Sequence, residues 1–185
     1  RTVVFSCGYA NAEPLGQMLA ALDAVKIYRK GFDPEFYRSV CNAELDPVLR
    51  SIRQVAGSGR HLELVNLVVP TLNDSERQLT DLAHWVANEV GPDVPVHFTR
   101  FHPDYRLRNL PPTPVETLAR ARAIAMDQGV RYAYVGNVPG HEGNHTYCPQ
   151  CRQLCIERVG FTVASTGLVD GCCPACGTRI AGVWR

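Results

Sequence analysis

The feature that most constrains this chain is a doubled turn, Cys148-Pro149-Gln150-Cys151 and Cys173-Pro174-Ala175-Cys176. In each, proline fixes one backbone angle between two thiols. Gly177, after the second pair, permits a conformation that other residues resist. Four thiolates from two such turns can surround one ion tetrahedrally. The 21 residues between the pairs fall one beyond the usual spacing of a paired zinc site. The predicted ligands are Cys148, Cys151, Cys173 and Cys176. Zinc is the first candidate, and iron the alternative, since both accept four sulfurs. Cys173 is preferred to Cys172 because it alone repeats the C-P-x-C pattern. Two disulfides are disfavoured, because nothing at the N-terminus reads as a secretory signal and cytosolic thiols stay reduced. A cytoplasmic location is therefore expected. Cys7, Cys41 and Cys155 lack partners at ligand spacing and are expected to be small buried apolar residues.

Upstream of Cys148 the pattern is one of alternating strands and helices. Short apolar, β-branched runs predict strands over 2–7, 24–28, 62–69, 95–100 and 132–135. Between them lie helices. The first, over 13–22, has Leu15, Met18, Leu19 and Leu22 on one face. A short helix follows Pro34 through Tyr37. The next starts with Asp46 as cap and Pro47 at its first position, and ends at Gly57-Ser58-Gly59. Another starts at Asn73-Asp74-Ser75 and carries Leu79, Leu82, Ala83, Val86 and Val90 at helical spacing. The last starts at Thr113-Pro114-Val115-Glu116, read as a capping box, and stops at Gly129. Five such strands joined by helices predict an α/β fold with a parallel sheet and right-handed connections. Ligands then gather at the C-terminal strand ends, where Cys7, Lys30, Asn73, His102 and Asn137 fall.

Two units are expected: 1–140, an incomplete (β/α) barrel, and 141–185, a small β ribbon held by its metal. In the ribbon, a hairpin pairs 153–158 with 161–164 and a last strand covers 180–184. From Cys148 onward four arginines face Glu157 and Asp170, a net of +2. A zinc tetrathiolate contributes about −2, so a phosphate-binding patch is not expected there. The whole chain, 185 residues with a formal net charge of +1, offers no electrostatic case for nucleic acid or membrane. No apolar run approaches the roughly 20 residues of a bilayer span. Arg1, rather than Met, leads directly into Thr2-Val3-Val4-Phe5, so a processed product or a piece of a longer protein is expected.

Several segments carry a resemblance. They are Asp23-Ala24-Val25, Lys30-Gly31-Phe32, Phe36-Tyr37-Arg38, Leu67-Val68-Val69-Pro70 with Leu72-Asn73-Asp74-Ser75, and Arg100-Phe101-His102-Pro103-Asp104-Tyr105. Pro111 to Leu118, Tyr134-Val135-Gly136-Asn137-Val138-Pro139-Gly140 and the C-P-x-C ribbon ending Gly182-Val183-Trp184 complete the set. Together they resemble the radical SAM enzymes of the AmmeMemoRadiSam system, relatives of the pyruvate formate-lyase activating enzymes. The resemblance implies a (β/α)6 barrel that binds S-adenosylmethionine on a [4Fe-4S] cluster. Reductive cleavage there yields a 5′-deoxyadenosyl radical, which abstracts hydrogen from a substrate. By motif position, Lys30 and His102 resemble the lysine and histidine that contact S-adenosylmethionine in the activating enzymes.

This chain departs from the family pattern at definite points. The usual Asp-Leu-Lys reads Tyr28-Arg29-Lys30, and the usual Asn-Gly reads Cys7-Gly8. The cluster motif C-x3-C-x2-C and the glycine-rich second strand are absent from the chain. The chain therefore resembles the last two-thirds of such an enzyme and is expected to be inactive alone. Its substrate is not readable from these residues, a protein being one candidate. Two other readings compete: a non-catalytic scaffold whose ribbon docks a protein partner, and a nucleic-acid-binding ribbon, which the charge count disfavours.

Overall fold

The computed structural model describes residues 1–160 and 162–184. Five parallel strands form one sheet: β1 (Val3–Ser6), β2 (Ala24–Arg29), β3 (His61–Val68), β4 (Val96–Arg100) and β5 (Ala133–Gly136). Their spatial order is their sequence order. Successive right-handed connections that never reverse direction put every crossover helix on one face, as in a barrel wall, and leave the other face concave. The fold is α/β, a five-stranded parallel arc like part of a barrel wall, followed by a small antiparallel sheet. That second sheet comprises β6 (Thr146–Tyr147), β7 (Leu154–Val159) and β8 (Thr162–Thr166).

The crossovers are α1 (Ala12–Ala20), the pair α2 (Pro34–Cys41) and α3 (Leu45–Gly57), α4 (Glu76–Trp85) and α5 (Val115–Asp127). The core lies between these helices and the outer face of the sheet. Ile52, Val55, Leu64, Val68, Phe98, Leu118 and Ala121 are essentially inaccessible there.

The predicted strands and helices of the first 140 residues all form, with differences that have local causes. Glu44, not Asp46, precedes α3, so Pro47 is its third residue; proline is tolerated anywhere in a first turn, where no intrahelical donor is lost. Asp33 caps α2 by accepting from the Phe36 N–H at 2.9 Å, and α2 continues past Tyr37 to Cys41. The apolar spacing through Val90 is kept, but the last turn after α4 widens to a π-helix over Val86–Val90, closed by Gly91 N–H donating to Val86 O.

Thr113 does not cap α5. Its hydroxyl donates to Val68 O at 2.6 Å and accepts from Phe101 N–H at 2.9 Å, so it ties the C-terminal ends of β3 and β4 together. β1 is not buried: Val3 and Phe5 are 51% and 65% exposed, because they share the concave face at an edge that only β2 flanks among the described residues. In the ribbon no strand forms over 180–184. The segment folds back instead, with Trp184 Nε1 donating to Ile180 O at 2.7 Å. The predicted hairpin forms as β7 and β8; Phe161, predicted to start its second strand, lies outside the described residues.

Candidate functional site

Each ribbon knuckle is built by the same hydrogen bonds. Cys148 N–H donates to Gln153 O and Cys173 N–H to Thr178 O, both at 2.8 Å. Arg152 N–H donates to Cys148 O at 3.0 Å, and Gly177 N–H to Cys173 O at 2.9 Å. The residue after each second cysteine is left-handed, Arg152 at φ 62° and Gly177 at φ 72°. The first cysteine of each turn is buried and the second exposed. The sequence shows the glycine; it does not show that Arg152 takes the same conformation, at a cost of about 1–3 kcal/mol, the scale of a strained non-glycine backbone.

The two knuckles face one another. The sulfurs of Cys148, Cys151, Cys173 and Cys176 all lie within 4.8 Å of each other, with Cys148–Cys176 and Cys151–Cys173 at 3.6 Å. A tetrahedral ion with metal–sulfur bonds of about 2.3 Å needs sulfur–sulfur edges of about 3.8 Å. The four cysteines are therefore positioned to bind one metal ion. Thr178 Oγ1 lies 3.2 Å from Cys176 Sγ, and hydrogen bonding with Thr178 draws that thiol down to about 6.

The remaining cysteines stand apart from this quartet. Cys155 is buried beside it, and that burial pushes its thiol up to about 11, in keeping with a small apolar role. Cys172 is half-buried, with its sulfur 3.9 Å from Asp170 O. Cys41 is half-buried against the core. Cys7 departs from expectation: it is exposed, one residue past the end of β1.

The second site is a cavity of about 670 Å³ on the concave face, bounded by strands β2 to β5 on one side and by the ribbon on the other. Parallel strands are ordinarily covered on both faces and read as apolar throughout. Here the inward positions carry Lys26 on β2, His61 and Glu63 on β3, His97 on β4 and Tyr134 on β5. Glu63 is the centre. Lys26 Nζ lies 3.1 Å from Oε2, His97 Nε2 lies 3.0 Å from the same oxygen, and His61 Nε2 lies 3.3 Å from Oε1. Burial alone would raise this carboxyl. The hydrogen bonds from His61 and His97, with the charges of His97 and Lys26, hold it instead far below the ordinary carboxylate range. Burial is the largest effect on His97 and pushes its imidazole down, against the pull of Glu63.

The chain of contacts runs on into the ribbon. The His97 ring stacks on Tyr134 with centroids 5.0 Å apart. Tyr134 Oη is 2.9 Å from Thr146 Oγ1. Arg158, from β7, lies over the Tyr134 ring and donates to both Thr146 Oγ1 at 2.8 Å and Asn144 O at 3.2 Å. Gly136 keeps the cavity wall tight: a Cβ there would meet Thr99 Cγ2 at 2.7 Å.

The strand-end residues occupy one rim. Lys30 follows β2 directly and lines the cavity; it is exposed, and its backbone N–H donates to Tyr37 Oη at 3.1 Å. His102 lies exposed two residues beyond β4. β3 separates their strands, so the strand axes are roughly 10 Å apart. Asn73 is a brace: buried, it donates to Lys30 O at 2.6 Å and Leu67 O at 2.8 Å and accepts from Val69 N–H at 2.6 Å. Asn137 is left-handed at φ 59°, lines the cavity, and donates to Arg100 O at 3.3 Å. Among the described residues, the ribbon quartet is the one set of three or more His, Cys, Asp or Glu with ligand atoms close enough to share an ion. Of the strand-end residues Cys7, Lys30, Asn73, His102 and Asn137, Cys7 carries the one thiol.

Comparison with known proteins agrees with this geometry. No family model matches the chain. The chain is 43% identical over 180 residues to uncharacterized protein MJ0808 of Methanocaldococcus jannaschii; the match covers 96% of the chain and 53% of that protein. The chain thus spans about half the length of this curated relative. Among solved structures, it is similar to a domain of pyruvate-formate lyase-activating enzyme from Bacteroides vulgatus. The TM-score is 0.63 at 17% identity, over 73% of this chain and 80% of that one. It is also similar to a radical SAM methyltransferase from Sphaerobacter thermophilus, with a TM-score of 0.58 at 14% identity, over 77% and 43% of the respective chains. At these identities the likeness is one of fold: the barrel arc is radical SAM-like. No helix of the described residues is long and apolar enough to cross a membrane.

Proposed function

We propose that this chain forms the C-terminal barrel portion (1–140) and a zinc ribbon (141–185) of a radical SAM enzyme of the AmmeMemoRadiSam type. In the whole enzyme, S-adenosylmethionine bound to a [4Fe-4S] cluster supplies a 5′-deoxyadenosyl radical. The thiolates for that cluster belong to sequence that this chain does not contain. The contribution of these residues is to bind and orient. Lys30 offers a cation to the ligand's carboxylate, where charge-assisted hydrogen bonds are stronger than neutral ones. His102 donates to the same carboxylate or packs beside the adenine. Asn73, through the Lys30 carbonyl, keeps the lysine on the rim. The substrate is unidentified, a protein being one candidate, and the reduced thiols of the ribbon suit the cytoplasm.

The observation that carries this reading is the sequential five-stranded parallel arc with Lys30 and His102 past the C-terminal ends of its strands. In such folds ligands bind at that rim. The test uses the full-length protein to which this chain belongs, reconstituted anaerobically with iron and sulfide and given S-adenosylmethionine and a reductant. Formation of 5′-deoxyadenosine is expected. A full-length protein that assembles its cluster yet releases none would overturn the proposal.

A further inference from the structure

The charges lining the concave cavity do not balance. Among the described residues it is lined by three cations, Lys26, Lys30 and Arg158, against the single carboxylate of Glu63. Glu63 is matched by Lys26, and Lys30 stands at the rim. Arg158 is left over. It is half-buried and makes no ion pair among the described residues. Its two side-chain hydrogen bonds, to Asn144 O and Thr146 Oγ1, both leave from Nη1. The Nε and Nη2 donors have no protein partner among the described residues. A half-buried guanidinium held over an aromatic ring, with an open pair of donors, has the fork geometry that suits a two-oxygen anion. Much of the remaining wall is apolar, including Val65, Leu67, Val138, Ile180 and Trp184. A cavity of this size, mostly apolar with a few convergent polar groups, is the ordinary form of a small-molecule site.

We infer that the floor of the cavity is a binding site for an organic oxyanion, a carboxylate or phosphate on an apolar body, with Arg158 of the ribbon as its anchor. Lys26 precedes Lys30 by four strand residues, so floor and rim are separated by about 13 Å. The two ends of the cavity can therefore hold different groups. The ribbon becomes part of a ligand site: it supplies Arg158 and Thr146 and, through Ile180 and Trp184, one wall. The inference is independent of the radical SAM proposal, because anion binding at the floor needs neither cluster nor S-adenosylmethionine, and each can fail alone.

The test is titration of the metal-loaded, ¹⁵N-labelled chain with benzoate, phenyl phosphate and benzamidine, which share a ring and differ in charge. Saturable shifts at the amides of Tyr134, Thr146 and Arg158 are expected with an anion and not with benzamidine. Whichever of benzoate and phenyl phosphate binds tighter identifies the class of oxyanion. Arg158→Met is expected to weaken binding at least tenfold and Arg158→Lys less. If Arg158→Met loses its fold or metal, Arg158→Gln, which removes the charge and keeps a donor amide, decides by the same tenfold criterion. Binding of neither anion, equal binding of benzamidine, or unchanged affinity in a folded variant that decides the case would overturn the inference.

Discussion

Nε2 of His97 lies 3.0 Å from Oε2 of Glu63, across neighbouring strands β4 and β3 and inside the concave cavity. The groups facing this pair are His61, Lys26, Tyr134 and, from the ribbon, Arg158. The imidazole is pushed down and the carboxyl held far below its ordinary range. Both groups therefore bind fewer protons folded than unfolded. Stability rises with pH wherever the unfolded state binds more protons. For His97 the loss starts as pH falls below its unfolded value of about 6.5, and for Glu63 below about 4.3. Denaturant unfolding followed from pH 8 to about pH 3 is expected to show destabilisation in two stages, one for each group. His97→Gln should flatten the upper stage. A profile unchanged by that substitution would show that His97 does not titrate on unfolding.

Thr113 joins two strand ends through one buried hydroxyl. Thr113→Val keeps the shape and removes the group, leaving Phe101 N–H without its partner. The expected cost is about 1–3 kcal/mol, the usual penalty for an unsatisfied buried polar group. Thr113→Ser should recover most of it. Equilibrium denaturation of both variants checks the ordering; a larger loss in Thr113→Ser than in Thr113→Val would assign the effect to packing of the methyl group.

The arc of the barrel was legible because parallel strands buried by helices write themselves as short apolar runs, and helices as 3.6-residue spacing. The metal quartet was legible because C-P-x-C turns are local. What escaped was long-range. The role of Thr113 depends on Val68, 45 residues away, while its sequence context is that of a capping box. Glu63 gathers Lys26 and His97 from the neighbouring strands. A sequence signal for it exists: charged residues at alternate positions of otherwise apolar parallel strands, as in Ala24-Val25-Lys26-Ile27 and Leu62-Glu63-Leu64. Such a charge must face a lumen. Arg29 is read no better. It is buried and holds Asn66 Oδ1 at 3.3 Å, and burial draws its guanidinium down to about 10.

One metal ion per chain, zinc by preference, is expected on elemental analysis of purified protein. The sulfur spacing suits it, and small metal-held units fold with their ion. Cys148→Ser should abolish stoichiometric metal and the order of β6 to β8, while the helical signal of α1 to α5 is largely kept. Cys172→Ser should leave the metal in place, because its sulfur stands outside the quartet. Loss of metal from Cys172→Ser with retention in Cys173→Ser would reverse the ligand assignment.

Lys30 and His102 follow strands that run the same way on either side of β3, so their Cα atoms emerge on one rim. The Lys30 side chain is exposed above a backbone that Tyr37 and Asn73 hold from both sides. The acidic neighbour in the pattern that the chain resembles is replaced by Tyr28, which lines the cavity and contributes no charge. The lysine therefore lacks the acidic partner of that pattern, which weakens the case for Lys30 more than for His102. In the full-length protein, Lys30→Met and His102→Ala are each expected to weaken S-adenosylmethionine binding by about 1.5–3 kcal/mol, the scale of a hydrogen bond to a charged group. Asn73→Ala, which removes only the brace, should lower affinity less and lower stability more. Isothermal titration of the three variants, with denaturation curves beside it, separates the roles. Unchanged affinity and turnover in folded Lys30→Met and His102→Ala would remove both residues from the S-adenosylmethionine site, leaving the rim to Asn137 and the residues beyond this chain.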